Sequence, residues 1–214
     1  MVIELTRTQI EAALPRVARG LEQYLWLQDH RDSGDLMNDL VYRRRFNHFY
    51  RVRRGIEWQD KFYRVLQRSK GQVVTFGQVL RALRRATGRC EASFASKLVA
   101  TVRPEMPVID SVVLKNVDLR LPRYNSRART AQLVRLHQTL VQRFHAFLRT
   151  ETGRYLVKRF REEYPQARIS QVKMLDLVLW QTRSHKALHR TGARDARPAG
   201  DRGRSRARRA CRLT

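Results

Sequence analysis

The stretch Thr87–Val117 reads TGRCEASFASKLVATVRPEMPVIDSVVLKNV and decides the fold class. Thr87-Gly88 is a helix stop, because glycine takes up the left-handed conformation that ends a helix without steric penalty. A tight turn follows, and apolar residues then recur at helical spacing over Ala92–Val102. Pro104 and Pro107 frame a loop that cannot be helical. Asp110 is a preferred N-cap residue, and it opens a further helix over Ser111–Val117. Helix, turn, helix, proline-bounded loop and capped helix follow one another with no strand signal between them.

The same period extends in both directions. Upstream, the pattern predicts helices over Thr8–Gln28, Leu36–Arg53, Ile56–Arg68 and Phe76–Ala86. Pro15 marks a kink or a later start in the first, the polar run Asp29–Asp35 precedes the second, Gly55 ends it, and Thr75 caps the fourth. Downstream, helices are expected over Ala128–Leu148, then, after an interruption at Gly153, as far as Glu163 before Pro165, and finally as an amphipathic Gln171–Gln181 capped by Ser170. Val73-Val74 is the one short run with strand character, and no solenoid repeat is visible. The expectation is one all-α domain over 1–184, in one or two lobes, followed by an Arg-rich disordered tail over 185–214.

Charge narrows the partner. The 214 residues carry 45 Lys/Arg against 19 Asp/Glu, a net +26. The tail from His185 holds ten Lys/Arg and two Asp, so +18 remains on the rest of the chain. Such an excess repels itself unless an anion neutralises it. A polyphosphate does so with release of counterions, which makes double-stranded DNA the expected partner and a nucleoid-associated, cytoplasmic setting the expected location. A solvated helical surface is the plain alternative. A chain of this length buries roughly 70% of its unfolded surface and needs no metal or disulfide to fold. Cys90 and Cys211 are the two cysteines, too few for a four-cysteine zinc or iron–sulfur site, so neither a metal cluster nor a cofactor is expected. No run approaches the roughly 18 apolar residues of a membrane span, and MVIELTRTQIEAALPRV lacks the basic head and apolar run of a signal peptide.

Thr87–Val117 also resembles the helix-hairpin-helix DNA glycosylase superfamily of base-excision repair. In that family a Gly-rich hairpin starts a helix, and an aspartate follows in a motif like P-[IV]-[LIV]-D-x-x-V; the match here is Pro107-Val108-Ile109-Asp110-Ser111-Val112-Val113. The spacing from Gly88 to Asp110 fits without a gap. The resemblance implies a two-lobed helical fold, Asp110 as catalytic carboxylate, and a turn around Gly88, Arg89, Cys90 and Ser93 that grips the DNA backbone, with Lys97 and Lys115 as further DNA contacts. Asp110 as a simple helix cap is the structural alternative. Two departures stand out. Cys90 occupies the third hairpin position, where the family carries glycine. Ala92 stands where bifunctional members place a Schiff-base lysine, and Lys97 lies five residues further on another face. The implied activity is therefore a monofunctional N-glycosylase without lyase chemistry. The phrase SFASKLVATVRPEMPVIDSVVLKN, beside FYRVRRGIEW and KMLDLVLWQTR, is similar to segments of a group of uncharacterised bacterial proteins.

In Tyr42–Trp58, arginines alternate with aromatics. Arg43, Arg44, Arg45, Arg51, Arg53 and Arg54 form a candidate phosphate stripe, while Phe46, Phe49 and Tyr50 have the i, i+3, i+4 spacing of a core face. The histidines form no H-E-x-x-H motif; His137 and His145 read as packing or surface residues, and His185 and His189 as chance. Besides the glycosylase, a non-catalytic nucleic-acid-binding protein and a protein-interaction module remain open.

Overall fold

A computed structural model describes residues 3–182, and the expected tail over 185–214 lies outside them. Nine helices and no strand are found among the described residues: α1 (Arg7–His30), α2 (Leu40–Tyr50), α3 (Ile56–Ser69), α4 (Phe76–Thr87), α5 (Ala92–Val102), α6 (Ser111–Asn116), α7 (Arg129–Leu148), α8 (Glu151–Glu163) and α9 (Gln171–Gln181). The chain is all-α, as its periodicity predicts. None of these helices is long and apolar enough to cross a membrane.

Several boundaries have identifiable causes. Thr6 and Gln9 form a reciprocal capping box that starts α1, and the helix runs through Pro15 without ending there. The expected start of α2 at Leu36 moves to Leu40. Asp35 accepts the Met37 amide and makes a turn, and Asp39 then caps the helix through the Tyr42 amide at 2.8 Å. Val73-Val74 is not a strand; Val73 projects into solvent, and Thr75 caps α4 directly after it.

Gly153 does not interrupt a helix but sits in the first turn of α8, capped by Thr150. A Cβ there would stand 2.1 Å from the Phe147 carbonyl oxygen, so glycine is what lets α8 turn so closely against the end of α7.

The core is one contiguous cluster. Phe46 lies at its aromatic centre, with ring centroids of Tyr50, Phe62 and Tyr63 within 4.7–5.7 Å. The α2 aromatics are thus core residues, as their spacing implies. The expected amphipathic α9 is different: Val172–Leu179 are all buried, so it is a central helix covered on every side, with α1, α6, α7 and α8 packed around it.

Full burial of α9 brings charge inside. Lys173 and Asp176 pair at 2.7 Å, and the Lys173 ammonium lies over the Tyr24 ring at 4.7 Å. Burial raises the Asp176 carboxyl above its ordinary range despite the lysine beside it.

Candidate active site around Asp110

Asp110 ends a short segment, Pro107–Asp110, that α5 and α7 hold by its backbone. His137 of α7 meets the Pro107 carbonyl through Nε2 at 3.3 Å. The Val108 amide acts on the buried Asp176 carboxylate of α9. The Ile109 amide donates to Ser96 Oγ of α5 at 2.8 Å. All three are buried polar groups, and His137 and Ser96 satisfy backbone that a proline-bounded loop leaves unpaired. The position of the Asp110 carboxylate is therefore set by the core and not by loop flexibility.

Asp110 itself caps α6: Oδ1 accepts the Val112 amide at 2.8 Å. No hydrogen bond from a described residue engages Oδ2. The carboxylate is half-buried and lines an open cleft of about 570 Å³, together with Ser93, Lys115, Leu119, Arg120 and Leu121. Capping and a solvent-facing position thus coexist in one side chain.

The turn between α4 and α5 lies where the helix stop at Gly88 predicts it, with one addition. Gly88 is left-handed at φ 72° and closes α4 through a 2.9 Å bond to the Arg84 carbonyl. A Cβ at Gly88 would meet nothing within 4 Å, so backbone conformation, and not close approach, demands the glycine. Arg89 is exposed. The half-buried Cys90 turns its sulfur toward Thr130 of α7 at 3.8 Å. Ser93 joins Asp110 in the cleft, and the two elements are linked internally, since Ser96 donates to the Ser93 carbonyl while accepting from Ile109. The addition is Glu91, at the N-cap of α5, whose carboxylate receives two bonds from Arg54 at 2.9 and 3.1 Å.

The basic residues divide into surface and interior. Arg44 and Lys115 are exposed, and Lys115 lines the cleft. Arg43 is largely covered and bonds Asp60 at 2.6 Å and the Met37 carbonyl at 2.9 Å; it is a structural arginine. Arg45 lies over the Trp26 ring at 4.1 Å.

Lys97 is not the surface cation that the sequence suggests. It is 7% exposed, and its ammonium donates to the Tyr50 carbonyl at 2.8 Å. Burial depresses its pKa, while the Asp110 carboxylate pulls in the opposite direction. The sequence does not mark it out, because Lys97 stands among Ser93, Ser96 and Thr101 as well as apolar residues, and only packing shows that α5 is buried on nearly all sides.

No family model, curated protein or solved structure matches the chain. The residues themselves carry the functional reading. Among those described, no three His, Cys, Asp or Glu side chains gather as a metal site. Sequence reasoning missed Arg120 and Leu121 at the cleft; a loop of scattered arginines has no period to reveal which of them converge.

Proposed function

We propose that the protein binds DNA and acts as a monofunctional DNA N-glycosylase, with Asp110 as the catalytic carboxylate and the Gly88–Ser93 turn as backbone grip, on a helical scaffold like that of the helix-hairpin-helix glycosylases. One observation carries the reading: Asp110 and Ser93, from the two halves of the motif, line the same open cleft. Lys115 and Arg120 beside them supply positive charge for flanking phosphates. DNA of a nucleoid-associated kind would be met in the cytoplasm.

The chemistry asked of Asp110 is modest. A base flipped into the cleft departs with the electron pair of its N-glycosidic bond, leaving positive charge on the sugar. A fixed carboxylate stabilises that charge and orients the water whose oxygen then bonds to the sugar carbon. The net exchange is one water consumed: its hydroxyl goes to the sugar and its second proton to the base. No Schiff-base amine is assigned, since Ala92 stands at the position of the family's lysine and the ammonium of Lys97 is engaged by the Tyr50 carbonyl.

A non-catalytic DNA-binding protein on this scaffold is the second reading. It is favoured by Glu91, which sets a carboxylate, though one paired with Arg54, at the turn where a phosphate would dock.

Incubation with duplexes carrying uracil, alkylated or oxidised bases, then alkali, reveals abasic sites as strand breaks. Asp110→Asn is the informative variant, because Asn caps a helix as well as Asp while lacking the charge. Base release should fall by about 100-fold or more with little change in stability. Release that survives the substitution, or no release from any substrate, overturns the catalytic assignment.

A further inference from the structure

A second feature lies across the buried Lys97 from Asp110. Lys97 bonds the last carbonyl of α2, at Tyr50, and Arg51 and Asp110 both act on its charge. Beyond Tyr50 the chain leads into an open groove of about 670 Å³. Arg16 and Arg19 of α1, Arg51 and Arg53 after α2, and Trp180 and Gln181 of α9 line it. No acidic residue among those described does.

We propose that this groove is a phosphate-binding track for a strand of DNA, held on the same helical framework as the Asp110 cleft. Four arginines line it, and among the described residues none pairs with a carboxylate, though Arg16 also donates to the Ala12 carbonyl of its own helix. Neighbouring arginines are spent differently: Arg43 goes to Asp60 and Arg54 to Glu91. Pairing at 43 and 54 but not at 51 and 53 keeps the latter two available to an external anion. Arg16, Arg19 and Gln23 follow one stripe of α1, which aims donors at the groove along its length.

Arg51 strengthens the case. It is left-handed at φ 52°, in a C-cap position where glycine would be strain-free. A side chain kept in a strained conformation at an open, ligand-sized groove points to a use for that side chain. Trp180 Nε1 is shielded from solvent and has no hydrogen-bond partner among the described residues.

The link to Asp110 runs through α6. Asn116, in the helix that Asp110 caps, donates to the Leu179 carbonyl at 3.3 Å and to Thr182 Oγ1 at 3.1 Å. It thereby fastens the end of α9 that carries Trp180 and Gln181. The helix wall of the cleft and one wall of the groove are thus tied together. A different groove, lined by Arg64, Arg68 and Arg85, has matching charge but no such tie and no indole, which makes it a control.

The inference rests on DNA as partner and is independent of chemistry at Asp110. Binding of the full chain to duplex DNA is measured against salt, with Arg19→Ala/Arg51→Gly/Arg53→Ala beside Arg64→Ala/Arg68→Ala/Arg85→Ala. Each lost phosphate contact lowers the slope of log K against log[salt] by about 0.9 on duplex and about 0.7 on single strands. The groove variant should lose about 2–3 in slope and the control variant well under 1. Equal losses, or no DNA binding by the wild type, overturn the track. Arg51→Gly alone relieves strain, so a loss of close to 0.9 with unchanged thermal stability supports it even if the triple variant folds poorly. Long-chain inorganic polyphosphate, run as competitor, separates a DNA track from a site for free phosphate chains: equal affinity for both at matched phosphate concentration overturns DNA as the occupant. If no base is ever released but the groove variant loses its slope, the catalytic assignment falls and the track stands.

Discussion

Ser96 Oγ accepts the Ile109 amide at 2.8 Å, and both residues are buried. The same hydroxyl donates to the Ser93 carbonyl at 2.9 Å, so one side chain connects the first turn of α5 to the segment that delivers Asp110. Ser96→Ala leaves a buried amide with no acceptor. Unfolding in urea should show a loss of about 1–3 kcal/mol, and Ser96→Thr, which keeps the hydroxyl, should recover part of it. An alanine variant as stable as the wild type would mean that water or a backbone shift replaces the bond.

His137 supplies a pH test. Burial lowers its pKa from the usual 6.5 to about 4, and it stacks on Phe76 with ring centroids 4.3 Å apart. The folded state therefore takes up its proton at lower pH than the unfolded state. The contribution of neutral His137 is complete above about pH 6.5 and is lost progressively as the pH falls from there toward 4. Over that window stability should drop with a slope approaching 1.4 kcal/mol per pH unit from this residue. Comparing denaturation at pH 4.5 and 7 in wild type and His137→Gln checks it: the variant should lose this part of the pH dependence.

The Lys173–Asp176 pair should behave asymmetrically. Lys173→Met or Asp176→Leu alone strands a buried charge or its polar partner and should cost about 3–5 kcal/mol. The double variant should recover most of that, because an apolar pair of similar volume needs no desolvation of ions. A double-mutant cycle by chemical denaturation measures the coupling, and additive losses would refute the description.

Gly153→Ala should be among the more damaging single-methyl insertions. The new Cβ meets the Phe147 carbonyl oxygen and the Leu148 Cα, which are backbone atoms that cannot rotate away. A loss of about 1–3 kcal/mol or more is expected from the forced shift of α8 against α7. Thermal unfolding suffices to measure it, and an unchanged midpoint would show that the two helices separate freely.

What the sequence settled by itself is local. Helical period, caps at Thr75, Asp110 and Ser170, and the stop at Gly88 are properties of neighbouring residues, so the helices follow from the order of side chains. The core role of Phe46, Phe49 and Tyr50 follows in the same way from spacing on one face. Tertiary structure alone decided which charges face inward and which side chains meet. Lys97 and Arg43 look like their exposed neighbours in sequence, and only packing against Tyr50 and Asp60 separates them from Arg44. Central burial of α9, the hold of His137 and Ser96 on the Asp110 segment, and the meeting of Arg16 and Arg19 with Arg51 and Arg53 at one groove all join residues far apart in the chain. Periodicity reports how a helix divides between core and solvent; it carries no information about which distant backbone group or anion each polar side chain will meet.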